Sequence, residues 1–546
     1  MNSRFSSAPT KEQDLARWAL GTLLGLYVVL SFTHAWVVDD AYITLRTVDN
    51  FVNGLGLRWN PSERVQSYTH PLWMFLLSAV YFVTREAFYT TIVVSFVIST
   101  LAISRVLRAP WLRAAPHRAP MFVAMLLGSK AFLDYSSSGL ENPLTHLLMA
   151  VFYVRFLGDE EAAATPTEAR QRALFYSGVA ALAFVNRIDS LLLFAPACVL
   201  VLRREWSHRG AFARGAMLGA TPALAWVAFS FLYYGAVVPN TALAKLAGPR
   251  VELDERLSAG VAYFADAFMN DPLSLLFCGL ALAITWSTRR PVSIAAAGGV
   301  LLYLVYVLTT GAVGTHMSGR FFSGPLFLST MLLAAHANYV AQALGTVAVV
   351  ALWLLASPVS PLRVGFDTYA KPELKRGDGH IIDTRQFVLQ EGAALLNVSA
   401  GASMPTHEWY RAGRAYRNEP ERVHLGGLVV SLAIGYSGFA AGPEKHFIDI
   451  LGLSDPLIAR IPLSRAGGFR PGHFFREIPA GYVQSVEQGA NVVEDPDLHE
   501  YYEAIRVITR EPVFSGARLS TLFAFATGAY DARLAAYAER NGLRAP

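Results

Sequence analysis

The chain carries about eleven long stretches with few or no charges, a pattern that fits a folded protein only when lipid is its solvent. They lie near 15–38, 88–107, 119–135, 140–157, 174–187, 190–202, 211–234, 272–288, 291–311, 321–339 and 341–358. Several are short, so the count of spans carries a margin of about one. The first apolar run, Trp18 to Val38, is too long for the core of a cleaved signal peptide and reads as a signal anchor. Composition agrees: 53% of residues are hydrophobic and 16% charged, against about a quarter charged in soluble domains. Cys198 and Cys278 both sit inside apolar runs. They read as small buried hydrophobes, not as a disulfide framework or a metal site.

One apolar run needs separate treatment. Pro71 to Thr84 covers roughly 20 Å as a helix, less than a hydrocarbon core. It reads as a re-entrant or interfacial helix with Pro71 at its first position. The charges support that choice. If the segment does not cross and Arg4, Lys11 and Arg17 are cytoplasmic, four basic loops fall inside. They carry Arg105 to Arg118, then Arg170 and Arg172, then Arg203 to Arg214, and Arg289 with Arg290. If it crosses, most of them flip outside, against the positive-inside rule. The net charge of +5 is therefore a topology signature, and no nucleic-acid partner is expected.

Beyond about residue 358 the apolar runs stop and charge density rises. The expected organisation is a polytopic α-helical membrane domain over 1–358 and a soluble mixed α/β domain over 359–546. By the topology above, the second is extracytoplasmic. Asp383 to Ser399 is predicted as a helix, with Asp383 and Gln386 at capping-box spacing. Val423 to Ala433 and His446 to Leu453 are β-like; Asp495-Pro496 opens a helix, and Tyr530 to Glu539 forms a last one, stopped by Asn541-Gly542.

With this topology the unusual polar residues gather on the outer face. Residues 39–70 hold Asp39, Asp40, Arg46, Asp49, Glu63, Arg64, Tyr68 and His70. The start of that loop is amphipathic. Leu45, Val48, Phe51, Val52 and Leu55 share a stripe, while Arg46, Asp49, Asn50 and Asn53 face elsewhere, as in a helix lying flat on a membrane. Further outer loops bring Glu141, then Arg187 and Asp189, then Tyr233, Tyr234, Asn240 and Lys245, then His316 and Arg320. Ionisable groups at membrane depth are functional candidates. Plainer readings exist for each. The aspartates could be solvated, and Arg187 with Asp189 could pair to close a helix end. Glu141 could cap the next helix, Arg320 could snorkel, and the two tyrosines could belong to an interface belt. No HExxH, GxSxG, Walker loop or Cys/His metal spacing occurs.

Carboxylates facing out at a membrane surface suit general-base attack by a sugar hydroxyl. Arginines suit a phosphate leaving group, and a groove between helices suits a lipid tail. Nucleotide sugars are scarce outside the cytoplasm, so such a transfer would draw on a lipid-phosphate-linked sugar. No cofactor is certain; a divalent cation at the acidic pair is the one these residues admit. An acidic pair can also split its roles, one member ionised as base and the other positioning the substrate.

The segment DDAYITLRTVDNFVNGLGLRWNPSERVQSYTHPLW resembles the first extracytoplasmic loop of GT-C fold polyprenyl-phosphate-sugar glycosyltransferases. The likeness is strongest to the terminal arabinofuranosyltransferase type of the mycobacterial cell wall. SGLEN, NRIDS, YYGAVVPNTALAK, IDILGLSDPLIAR and RPGHF are similar as well, so the resemblance runs from about residue 36 to 475. It implies a multi-pass enzyme of the bacterial inner membrane with two juxtamembrane helices after the first span. It also implies a polyprenyl-phosphate sugar donor, arabinofuranose for this branch, and a glycan or glycoprotein acceptor. The family places its catalytic Asp just after the first span, which here matches Asp39 and Asp40, Asp39 leading the pair. Arg187, Asp189, Arg320, Glu141, His316, Lys245, Tyr68 and His70 would then bind the donor phosphate or substrate. One departure is Arg187-Ile188-Asp189-Ser190, where the family pattern has Arg-Pro-Asp or Arg-Pro-Glu followed by Gly. The alternatives are a mannosyl- or other hexosyltransferase of the same fold, a lipid-linked glycan transporter, and an inactive membrane-anchored glycan-binding protein.

Overall fold

The computed structural model describes residues 11–159, 161–246, 253–310, 317–364, 381–385, 392–397, 404–419, 427–463 and 474–543. It is mostly helical, and every uncharged run becomes helix. Four helices are long and apolar enough to cross a membrane: Lys11–Thr33 (α1), Phe88–Leu107, Trp206–Tyr234 and Pro291–Thr310. This is the composition of a membrane protein. Leu253–Asn270 and Pro272–Thr288 pass that test only as a pair, bent by 107°. The other runs appear as shorter or more polar helices, such as Leu191–Arg204 and Ser323–His336. At 14 residues each these extend about 21 Å. That is the same reach as Pro71–Thr84, so length alone does not separate spanning from non-spanning helices.

The helix Leu253–Asn270 lies within a stretch that charge had marked as loop. Asp254 and Glu255 stand in its first turn, where acidic side chains suit the positive end of a helix. The bend that follows is anchored by the buried Asp271. Its Oδ2 accepts from the Ala131 N–H at 2.7 Å and from the Ser129 and Ser274 hydroxyls at 3.1 and 2.6 Å.

Asp39–Val52 (α2) and Pro71–Thr84 (α3) follow α1, with the bounds expected for α3. α2 departs from the expected surface helix. Its polar residues Arg46 and Asn50 are buried at 2% and 1% exposure, whereas Phe51 and Leu55 stay exposed. The cause is the C-terminal region, which covers the polar face. The Arg46 guanidinium donates to the carbonyls of Trp59, Gly438 and Lys445 at 3.0, 2.6 and 2.7 Å, and lies 4.0 Å over the Trp59 ring. A buried cation with each of its three nitrogens donating to a carbonyl escapes much of the desolvation penalty of an unpaired charge.

Past residue 358 the described strands are Leu428–Ser431 (β1) and His446–Asp449 (β2), parallel, with Leu428 opposite His446 and Ser431 opposite Asp449. Tyr436–Ala441 connects them. Both strands are shorter than their β-like sequences, and the rest of the described region is dominated by helices. Pro496–Arg510 begins where expected, capped by Asp495 accepting from the N–H groups of Asp497 and Leu498, and Asp531–Arg540 closes the chain. The helix expected over Asp383 to Ser399 is not continuous. Gln386 and the end of that stretch lie outside the described residues, and Leu395–Asn397 is a 3-10 turn. The backbone there is drawn off by the chain leaving α1: Leu395 N–H donates to Ala35 O at 2.8 Å. Asp383 is no free cap either, since it pairs with the buried Lys130 at 2.7 Å. Lys130 also pairs with Asp134 at 2.6 Å, and Asp134 pairs with His34 at 2.6 Å.

The C-terminal region has an apolar core of its own around Leu428, Ile448, Leu457, Tyr482 and Ile505. A smaller cluster is shared with the first loop, where Ile43 and Trp59 pack with Val429, Ile434 and Phe447.

Sidedness is open to direct test. In a background lacking Cys198 and Cys278, single cysteines at the exposed positions Ala114 and Ala490 should react with an impermeant thiol reagent from opposite sides of the membrane. Labelling of both from one side would contradict the expected topology.

Candidate active site

α2 begins where the chain leaves α1, and its first two residues are Asp39 and Asp40. Two close approaches settle what each can do. Gly139 has φ +82°, and a Cβ there would come within 2.7 Å of the Ala41 Cβ, so the SSSGLENP loop is pressed against the start of α2. On the other side Gly435 abuts Asp39, and a Cβ on it would overlap the Asp39 backbone. The Tyr436 N–H then donates to Asp39 Oδ1 at 2.6 Å. Asp39 is thereby tied to the C-terminal region. Burial, followed by repulsion from Asp40, outweighs that hydrogen bond and raises its carboxyl to about 7.

Asp40 instead lines a cavity of about 110 Å³. Around it stand Thr44, Tyr68, His70, Arg187, Lys245, Arg320, Phe321 and, from the C-terminal region, Leu453. Residues from separate stretches of the chain thus meet in one space. Tyr68 is held by a 2.8 Å hydrogen bond to the hydroxyl of Tyr234, which in turn donates to Leu57 O at 2.9 Å. Tyr234 is therefore buried framework and not part of an exposed belt.

Glu141 does not line the cavity. It is 1% exposed and lies behind the arginines. Both its oxygens accept from Arg320 Nη2 at 3.0 Å, and Oε1 accepts from Arg187 Nη1 at 2.9 Å. His70 Nδ1 lies 3.1 Å from Oε2, and His70 Nε2 lies 2.9 Å from the Thr44 hydroxyl. Burial alone would raise the Glu141 carboxyl, but Arg320 and Arg187 hold it well below the usual range. Asp189 also sits outside the lining, accepting from Arg187 Nε at 2.5 Å and from the Tyr303 hydroxyl at 3.2 Å.

Of the residues expected from sequence, the structure brings Asp40, Tyr68, His70, Arg187, Lys245 and Arg320 to the cavity. It places Asp39, Glu141 and Asp189 behind it, and His316 lies outside the described residues. Thr44, Thr241, Met317, Phe321 and Leu453 were not foreseen. Thr44 had a signal, since it stands one helical turn after Asp40 on the same face. Leu453 belongs to IDILGLSD. That motif docks on PNTALAK through Asn240, whose amide donates to Gly452 O and Asp455 O at 2.8 and 3.0 Å. Of RPGHF, Arg470 to His473 lie outside the described residues.

Asp40 lines the cavity, while Asp39 Oδ1 accepts from the Tyr436 N–H. Among the described residues no group of three or more His, Cys, Asp or Glu could hold a metal ion.

No protein-family model matches the chain. It is 27% identical over 283 residues to the terminal beta-(1->2)-arabinofuranosyltransferase of Mycobacterium tuberculosis, a match covering 48% of this chain and 43% of that protein. It is 24% identical over 530 residues to the protein of the same name from Corynebacterium glutamicum, covering 81% of this chain and 73% of that relative. The chain thus spans less than half the length of the first relative. Both relatives bear the name of the terminal arabinofuranosyltransferase type that the sequence resembles.

The raised Asp39 carboxyl makes a stability prediction. Between its ordinary value of 3.8 and about 7, the folded protein holds a proton on Asp39 that the unfolded chain has released. This contribution to stability is full below 3.8 and is lost as pH rises through about 7. Asp39→Asn keeps an oxygen for the Tyr436 N–H and does not titrate. Its unfolding midpoint should therefore fall less between pH 5 and pH 8 than that of the wild type. Equal slopes in the two proteins would show that Asp39 is not the titrating group.

Proposed function

We propose that this chain is a membrane glycosyltransferase. It moves a sugar, arabinofuranose in this reading, from a polyprenyl-phosphate donor to a glycan or glycoprotein acceptor on the outer face of the inner membrane. One observation carries the proposal: a single cavity holds a carboxylate, Asp40, together with three cations, Arg187, Arg320 and Lys245. Two of the cations keep donors in reserve. Arg320 is 8% exposed and its Nε has no partner among the described residues. Lys245 makes no hydrogen bond or salt bridge among them. A buried donor such as Arg320 Nε is rarely left unpaired, planar guanidinium groups suit phosphate oxygens, and Lys245 adds an exposed ammonium to the lining. The two relatives' shared name supports the choice of sugar.

In this reading the polytopic domain, about eleven spans over 1–358, holds the lipid. The region from 359 lies outside and closes the cavity with Leu453. The reaction needs no external energy source. The acceptor oxygen bonds to the anomeric carbon while the bond from that carbon to the phosphate oxygen breaks. The phosphate oxygen keeps the electron pair and leaves as the lipid phosphate, stabilised by the cations. Asp40 takes the proton of the acceptor hydroxyl. The assignment of Asp40 reverses the order expected from sequence, because Asp39 spends Oδ1 on Tyr436 and does not line the cavity. Base catalysis by Asp40 inverts the anomeric centre. Attack by Asp40 itself, through a glycosyl ester, retains it. The anomeric configuration of the product against that of the donor separates these two roles.

The test is amide substitution. Asp40→Asn should lower turnover by about 10²–10⁴ with donor binding and folding intact, and Asp39→Asn should lower it less. Arg320→Ala and Lys245→Ala should weaken donor binding more than acceptor binding. Wild-type turnover by the Asp40→Asn protein would remove Asp40 from the chemistry.

A further inference from the structure

The phosphate seat contains its own counter-anions, and their placement has a consequence for which lipid phosphate it holds. Three cations line the cavity: Arg187, Arg320 and Lys245. Two carboxylates stand directly behind them without facing the cavity. Glu141 is shared by both arginines at 2.9 and 3.0 Å, and Asp189 holds Arg187 at 2.5 Å. His70 adds no charge that the geometry requires. A neutral ring protonated at Nδ1 donates to Glu141 and accepts from the Thr44 hydroxyl at Nε2. Three positive charges against these two negative ones leave a surplus of about +1, and the Asp40 carboxylate on the same cavity brings the whole cavity close to neutral.

The two lipid phosphates of such a transfer differ in charge. The sugar donor is a phosphodiester and carries one negative charge. The product is a phosphomonoester, whose second ionisation falls near pH 6, so it carries nearly two at neutral pH. A seat with at most one positive charge in surplus can match the donor's single charge but leaves the product with an uncompensated charge beside Asp40.

We propose that Glu141, with Asp189, sets the charge of the phosphate seat so that it matches a lipid phosphodiester and disfavours the phosphomonoester product. Glu141 is then a positioning and tuning residue that never touches substrate. It aligns two guanidinium groups that would otherwise repel each other, and it lowers their combined charge. This inference rests on the reading of the cavity as a lipid-phosphate site.

The experiment compares two probes with the same tail, geranyl phosphate and its methyl phosphodiester. Both are titrated at pH 7 into the full-length protein in detergent, where the monoester is mostly a dianion and Lys245, its ammonium lowered to about 8 by desolvation, is mostly charged. Wild type should bind the diester at least as tightly as the monoester. Glu141→Gln keeps the shape and removes one negative charge, so it should tighten the monoester relative to the diester by on the order of tenfold. Glu141→Asp keeps the charge and should keep the wild-type ratio. Asp189→Asn should shift the ratio in the same direction as Glu141→Gln, and it carries the test if the Glu141→Gln protein does not fold. An unchanged ratio in both amide variants, or an equal gain for both probes, overturns the inference while leaving the site reading intact. Failure of wild type to bind either probe overturns the site reading itself, and this inference with it.

Discussion

A single buried carboxylate, Glu141, joins three parts of the chain that are distant in sequence. Arg187, Arg320 and His70 each come from a different inter-helix segment and each meets Glu141 within 3.1 Å. In a low-dielectric setting none of these charges is stable alone. The loops are therefore committed to one another, and their commitment shapes the cavity. His70 passes the constraint on to α2 through Thr44, one turn from Asp40. The ion cluster and the candidate reacting group thus share one framework.

The C-terminal region completes that framework from the other side. It covers the polar face of α2, receives two of the three hydrogen bonds of Arg46, and holds Asp39 Oδ1 through the Tyr436 N–H. It also contributes Leu453 to the wall. The pair Asp39–Asp40 is accordingly divided between two tasks. Asp39 ties the C-terminal region to the start of α2, and Asp40 faces the cavity.

Much of this was legible in the residues. Uncharged runs mark helices because lipid cannot satisfy free backbone groups, and the charges between them carry topology. α3 matched its expected bounds because Pro71 starts it and the apolar run sets its length. The cluster of outer-loop charges pointed to one polar site because burying an ionisable group is costly without a reason. The helix Leu253–Asn270 was hidden by its charged first turn. The helix expected over Asp383 to Ser399 gave way where Leu395 paired with the chain leaving α1. Local pattern cannot report a competitor for hydrogen bonds that lies hundreds of residues away.

The sequence by itself determined the medium of the protein, most of its helices, and the polar residue types gathered in the segments between them. Those follow from transfer free energies and from periodicity, which are properties of each segment alone. Only the tertiary structure decided which charges face the cavity and which stand behind it. Asp40 and Asp39 are neighbours of the same type, as alike in sequence as two residues can be. Their roles separate because one is met by the Tyr436 N–H and the other by open space. Glu141 likewise reads as a helix cap until Arg187 and Arg320 arrive at its oxygens. Orientation and pairing depend on groups brought together by folding, and neither is a property of a residue or of its immediate neighbours.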